Sequence, residues 1–215
     1  MTLRRDAARN RAKLTAAGRE VFAELGPDAS FEEVARRAGV GIGTLYRHFP
    51  SREALAEEIY AEHIDEVVAA AEAAAAAEDA WSGLVSFLEH VLDLQARNLP
   101  LRGLFLRQGG GRGAERRRLI LPLLEQVIDR GREQGVLRDD LTVGDISLAL
   151  WSFAPVIEAT AGVAPAVWRR HLRILLDGMQ PAAATPQQVP PLAGRSLERA
   201  IDALRERYHR RRAAA

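Results

Sequence analysis

The chain contains no cysteine, which excludes a disulfide framework, a thiolate nucleophile and any cysteine-ligated zinc or iron–sulfur centre. It also lacks a run of about 18 uninterrupted apolar residues, the length a helix needs to span a bilayer. The start, Met1-Thr2-Leu3-Arg4-Arg5-Asp6, turns charged before the apolar region of a signal peptide can form. No membrane-embedded or Sec-exported protein is expected, and the cytoplasm is the expected compartment. Period-two alternation is almost absent, which argues against a sheet, and no internal repeat of about 20–50 residues is present. The histidines at positions 48, 63, 90, 171 and 209 show no metal-ligand spacing, and neither His-Glu-x-x-His nor Gly-x-Ser-x-Gly occurs. Gly109-Gly110-Gly111-Arg112-Gly113 has no strand before it and no Gly-Lys-Ser/Thr after it, so it reads as a linker and not as a phosphate loop. Catalysis, a metal and a cofactor are therefore not expected.

What is present is an average globular composition, 47% apolar and 27% charged over 215 residues, enough for one large domain or two small ones. The net charge of +1 hides a segregation. Residues 1–50 hold nine cations against six anions, residues 51–194 fourteen against twenty, and residues 195–215 seven against three. Basic ends on an acidic middle form a footprint that suits a polyanion, although a solvated charged face produces the same signal.

Apolar residues recur at three and four through most of the length, which predicts an all-α fold. Leu14, Ala17, Val21 and Leu25 stripe a first helix over about 5–25, stopped by Gly26-Pro27. Ser30 with Glu33 predicts a capping box opening a second helix. Gly39-Val40-Gly41 breaks the period, a third helix runs over 42–49, and Ser51 opens a fourth over 52–77 that thins into alanines. Further helices are expected at 80–97, 99–107, 114–134, 143–161 and 165–178. The helix at 80–97 is apolar on two sides, which places it centrally in a bundle. Pro122 and Pro155 predict kinks or shifted helix starts. The prolines of 181–194 predict an irregular linker, followed by an amphipathic basic helix carrying Leu197, Ile201, Leu204 and Tyr208. This last helix is expected to dock on the acidic part of the chain in preference to touching DNA. The domain plan is 1–50, 51–180, the linker 181–194 and the terminal helix 195–215.

Two short helices joined by a tight glycine turn over Ser30–Phe49 have the layout of a helix-turn-helix whose second helix enters the major groove. Leu45 and Phe49 can face a small core while Thr44, Arg47 and His48 project from other faces. Thr44 can reach a phosphate or a thymine methyl, Arg47 a phosphate or a guanine, and His48 the backbone. A plain helical hairpin with solvated polar residues is the rival on spacing alone.

Residues 9–55 resemble the N-terminal domain of the TetR/AcrR family of transcriptional regulators. The match runs through Val21-Phe22, Ser30-Phe31-Glu32-Glu33-Val34-Ala35, Ala38-Gly39-Val40, Gly43-Thr44-Leu45-Tyr46-Arg47-His48-Phe49 and Ser51-Arg52-Glu53-Ala54-Leu55, in order and spacing. The resemblance implies a three-helix DNA-binding head on a helical ligand-binding and dimerisation bundle. It also implies that Thr44, Tyr46 and His48 grip phosphates, and that base reading is shared by Arg47 and the positions around Gly41 and Gly43, with Ser30 at the start of the helix before. Gly41 stands where a serine commonly caps the recognition helix, and Ile42 where a polar residue or proline is frequent. The partners implied are double-stranded operator DNA, a second copy of the chain bound through the last two bundle helices, and a small apolar or aromatic ligand. Candidate lining for that ligand is Phe87, His90, Phe105, Leu124, Trp151 and Glu158. The expected function is a homodimeric repressor released from its operator by the ligand. A helical small-molecule carrier or enzyme with a vestigial head is the alternative.

Overall fold

Glycine, proline and hydroxyl punctuation sets most of the helix boundaries. In the computed structural model the described residues are 2–26, 28–101, 111–197, 199, 200 and 203; among them are nine α-helices and no strand. The helices are α1 (Thr2–Leu25), α2 (Phe31–Ala38), α3 (Ile42–His48), α4 (Arg52–Ala76), α5 (Ala80–Arg97), α6 (Gly111–Arg117), α7 (Ile120–Glu133), α8 (Val143–Thr160) and α9 (Val167–Asp177). The all-α expectation is met. The helix expected at 99–107 begins instead as a 3-10 turn at Leu99–Leu101, and its remainder lies outside the described residues. The helix expected at 114–134 is two helices, α6 and α7. Pro122 is the reason α7 can start where it does: it occupies the first turn, where its missing N–H has no intrahelical partner to lose. Pro155, by contrast, sits in the interior of α8, and the helix continues through it to Thr160.

The chain divides into two compact units, the described residues of Met1–Asp65 with Pro100–Arg116, and those of Glu66–Leu99 with Arg117–Ala215. In the first, Leu14, Val21 and Phe22 of α1 pack with Phe31 and Val34 of α2, Leu45 of α3, Phe49, and Leu55 and Ile59 of α4. Burying each such side chain contributes about 1.5–3 kcal/mol, and α2 and α3, at eight and seven residues, are too short to persist without it. Arg37 ties α2 to α1 by donating to Glu24 Oε1 at 2.7 Å, and within α2 it donates to Glu33 Oε1 at 3.3 Å.

In the second unit α5 is central, packing against α7, α8 and α9. Leu84, Phe87, Leu88 and Leu92 of α5 meet Val127, Ile146, Phe153, Trp168 and Leu172 in one core. Two of its helix ends are satisfied from a distance. Arg130 donates to the carbonyls of Ala74 and Ala75 at the close of α4, at 3.0 and 2.6 Å. Gln134 accepts from Ala80 N–H at 2.9 Å and donates to Glu78 O at 2.7 Å at the opening of α5. Thr142 and Asp145 form a complete capping box at α8. Beyond α9 the chain turns back: Arg138 donates to Gly178 O and Thr185 O at 3.1 and 2.7 Å, and the Leu192 carbonyl lies where a Cβ on Gly144 would be. Residues 194–197 are helical and Leu197 is buried. The start of the terminal arm thus docks within its own unit, while Leu204 and Tyr208 lie outside the described residues.

Candidate functional site

The turn between α2 and α3 is made by Gly39, whose φ of 67° is left-handed and favours glycine; its N–H and that of Val40 close the end of α2 on Arg36 O and Ala35 O. Ser30 caps the start of α2 by accepting from Glu33 N–H at 3.2 Å. The reciprocal half of the expected capping box is replaced, because Arg36 holds the Glu33 carboxylate at 2.6 and 2.8 Å and Arg37 also reaches it. Hydrogen bonds from these arginines, Arg36 foremost, hold the Glu33 carboxyl below its ordinary range, and Arg37 does the same for Glu24.

Leu45 and Phe49 are buried beneath α3, which turns the rest of the helix outward. Gly41, Ile42, Gly43, Tyr46 and Arg47 are exposed, and Thr44 and His48 are half-buried. Tyr46 is 52% exposed yet braced, its ring meeting Phe31 edge-on with centroids 5.4 Å apart. Arg47 Nη2 donates to Thr44 Oγ1 at 3.0 Å, so the two side chains form one polar unit on the outer face. Gly41 begins α3 without a side-chain cap, and the space around Gly41 and Gly43 is open. All seven residues expected to touch DNA, Ser30, Gly41, Gly43, Thr44, Tyr46, Arg47 and His48, therefore lie on α2, α3 or their starts.

Sequence reasoning passed over Arg11. Its guanidinium stacks over the Phe49 ring at 4.5 Å, donates to His48 O at 3.2 Å and pairs with Glu58 at 2.8 Å. It locks the end of α3 to α1 and α4. Three partners from two other segments leave no local pattern, and only its four-residue offset from Thr15, which in turn donates to Arg11 O, hints that it faces inward.

The second unit holds an open-sided cavity, a surface groove of about 530 Å³, between the end of α4 and the first half of α5, with Ala69, Ala73, Ser86 and His90 exposed along it. Ala69, Ala70, Ala73 and Ala74 form one wall and Ser86, Phe87 and His90 the other, with Glu66 at one end. Of the candidate ligand residues, Phe87 and His90 come together here. Leu124 is buried in the core, Trp151 is half-buried and Glu158 is exposed on α8, none of them on this lining; Phe105 lies outside the described residues. Sequence reasoning took the alanine run for a fading helix face, and in the structure it is the cavity wall. Among the described residues no cluster of histidines and carboxylates could hold a metal ion, and no helix is long and apolar enough to cross a membrane.

Residues 14–59 match the family model of bacterial regulatory proteins, tetR family. A crystal structure of a TetR transcriptional regulator from Streptomyces coelicolor is 31% identical, with a TM-score of 0.61 over 80% of this chain and 99% of that one. The chain belongs to the TetR family of transcriptional regulators. A TetR regulatory protein from Mycobacterium vanbaalenii is 29% identical with a TM-score of 0.63, covering 83% of this chain and 99% of that chain. Transcriptional regulator FadR from Bacillus subtilis, solved in complex with stearoyl-CoA, shares the fold at 23% identity and a TM-score of 0.51, over 78% of this chain and 92% of its own. No curated protein matches at a significant level. The α1–α3 head of this TetR-family chain is its helix-turn-helix DNA-binding domain.

Proposed function

We propose that this regulator is a homodimeric repressor, that its α3 reads operator DNA, and that a small apolar ligand in the second unit releases it. The observation that carries the DNA reading is the surface of exposed Tyr46 and Arg47 with half-buried Thr44, held on a small packed core. A hydroxyl, a phenol and a guanidinium on one short helix suit phosphate grip and guanine recognition. Assembly is supported by apolar residues that the chain itself leaves uncovered on α8 and α9, Leu148 at 43% and Ile174 at 60% exposure. On α9 Leu172 is buried in the core of its own chain, so Ile174 is the residue to alter. Two heads would meet successive major grooves about 34–36 Å apart on a pseudo-palindrome.

The ligand reading rests on the alanine-walled cavity, whose lining is apolar apart from Glu66, Ser82, Ser86 and His90. The stearoyl-CoA held by the Bacillus subtilis FadR makes acyl compounds the first class to screen. The experiment is operator selection from a random duplex library followed by binding of variants. Tyr46→Ala with Arg47→Ala should lose on the order of 100-fold in affinity, and Ile174→Glu should give monomers that bind the full site weakly. A wild-type chain that selects no duplex would remove the reading.

A further inference from the structure

Among the α1 residues whose side chains are described, from Arg5 onward, the first that belongs to the apolar core is Leu14. Residues 2–13 carry Arg4, Arg5, Arg9, Arg11 and Lys13 against the single anion Asp6. Arg5, Arg9 and Lys13 are all exposed. At spacings of four they align on one helix face over about 12 Å. Like charges at that spacing destabilise a helix, and cations in the first turn oppose its dipole. Among the described residues Asp6, at 3.1 Å from Arg9, relieves the stripe, and α1 has no acidic residue in its first turn. A cationic stripe of this kind, on exposed positions of a helix, is a surface that suits a polyanion.

Its position says which one. Arg11, on the same helix, donates to the carbonyl of His48, the last residue of α3, and stacks on Phe49. Residues 2–10 therefore continue α1 past the end of the recognition helix, with the stripe on the side of α1 away from Arg11 and Arg5 about 9 Å along the helix axis from it. We infer that the Arg5–Arg9–Lys13 stripe is a second DNA-binding surface, one that grips phosphates of the duplex flanking the groove that α3 enters and so lengthens the operator beyond the base pairs α3 reads. This rests on the operator-binding reading above. Phosphate grip of this kind adds affinity and register without sequence information.

The test uses the full chain and a duplex recovered from a random library by the wild-type protein, in two lengths, trimmed to the selected core or extended on both sides by about a half turn of helix. The triple variant R5Q/R9Q/K13Q should bind the extended duplex about 10-fold or more weakly at about 0.1 M salt. Its slope of log affinity against log salt should be shallower by about 0.9 for each phosphate that is no longer neutralised, and its cleavage footprint should shorten at both outer ends while the core stays protected. The wild type should prefer the extended duplex and the variant should not. R5K/R9K keeps the charge and should keep the wild-type slope, with melting of all three unchanged. A triple variant with wild-type slope and footprint on a duplex that still needs Tyr46 and Arg47 overturns this inference and leaves the operator reading standing. Loss of binding to phosphatidylserine vesicles with the DNA slope unchanged overturns it in favour of a membrane surface. A wild-type chain that selects no duplex overturns both.

Discussion

The two compact units of this chain are stabilised in different ways. In the first, punctuation is local: Ser30, Gly39 and Ser51 set helix ends within a turn of themselves, and the core is drawn from helices that follow one another along the chain. In the second, local caps at Asp79 and Thr142 are joined by closures made from afar. Arg130 closes α4 from more than fifty residues away, Gln134 opens α5 at a similar separation, and Arg138 holds Gly178 and Thr185. A unit whose boundaries are set by neighbours shows a recognisable motif. One whose boundaries are set by distant side chains shows only periodicity.

The largest effect that would sharpen this contrast is expected in the second core. Trp168 is buried at 1% exposure among α5, α8 and α9 residues, and Trp168→Ala should cost about 3–5 kcal/mol of stability, read by denaturant unfolding. A loss under about 1 kcal/mol would mean that this core tolerates a void and that long-range packing is not what secures it.

Next in size is an acid effect in the first unit. Desolvation of His63 on α4, with the charge of Arg19, pushes its pKa down from 6.5 to about 4. Between those values the unfolded chain takes up a proton that the folded chain refuses, so stability falls as pH drops from about 6.5 towards 4 and the contribution is intact above 6.5. The loss reaches at most about 3 kcal/mol. His63→Gln should flatten the difference in melting temperature between about pH 7 and about pH 5. An unchanged pH profile in that variant would show the imidazole to be solvated in the folded state.

The smallest effect is the most local. Ser30→Ala removes the cap of α2 and should cost about 1 kcal/mol, while Gly41→Ser should gain a few tenths by supplying the side-chain cap that α3 lacks. Thermal melts resolve both signs. A Ser30→Ala cost matching that of Trp168→Ala would erase the distinction between a locally punctuated head and a globally packed bundle.

Legibility followed the same division. The α2–turn–α3 residues could be placed from sequence because hydroxyl, glycine and apolar spacing act over a few residues. The split of 114–134 into α6 and α7 could not, since Pro122 permits either a kink or a new start and packing selects between them. The alanine wall of the cavity is not legible in the sequence for a related reason. Alanines at helical spacing give the same pattern whether they face water, a neighbour or a hollow, and the outcome depends on how close α5 lies. His90 and Phe87 were named from their helix, whereas Leu124 was named from a helix that buries it in the core.

By itself the sequence determined that the chain is helical, where α2, α3 and α5 lie, and which side chains of α3 face outward, because those follow from backbone periodicity and from caps formed within a turn. Tertiary structure alone decided that Arg11 clamps α3, that the alanine run lines a cavity, and that the Leu192 carbonyl rests on Gly144. Each of these is a meeting of segments well separated along the chain, and such meetings are selected by the free energy of the whole packed unit and not by any local preference of the residues that meet.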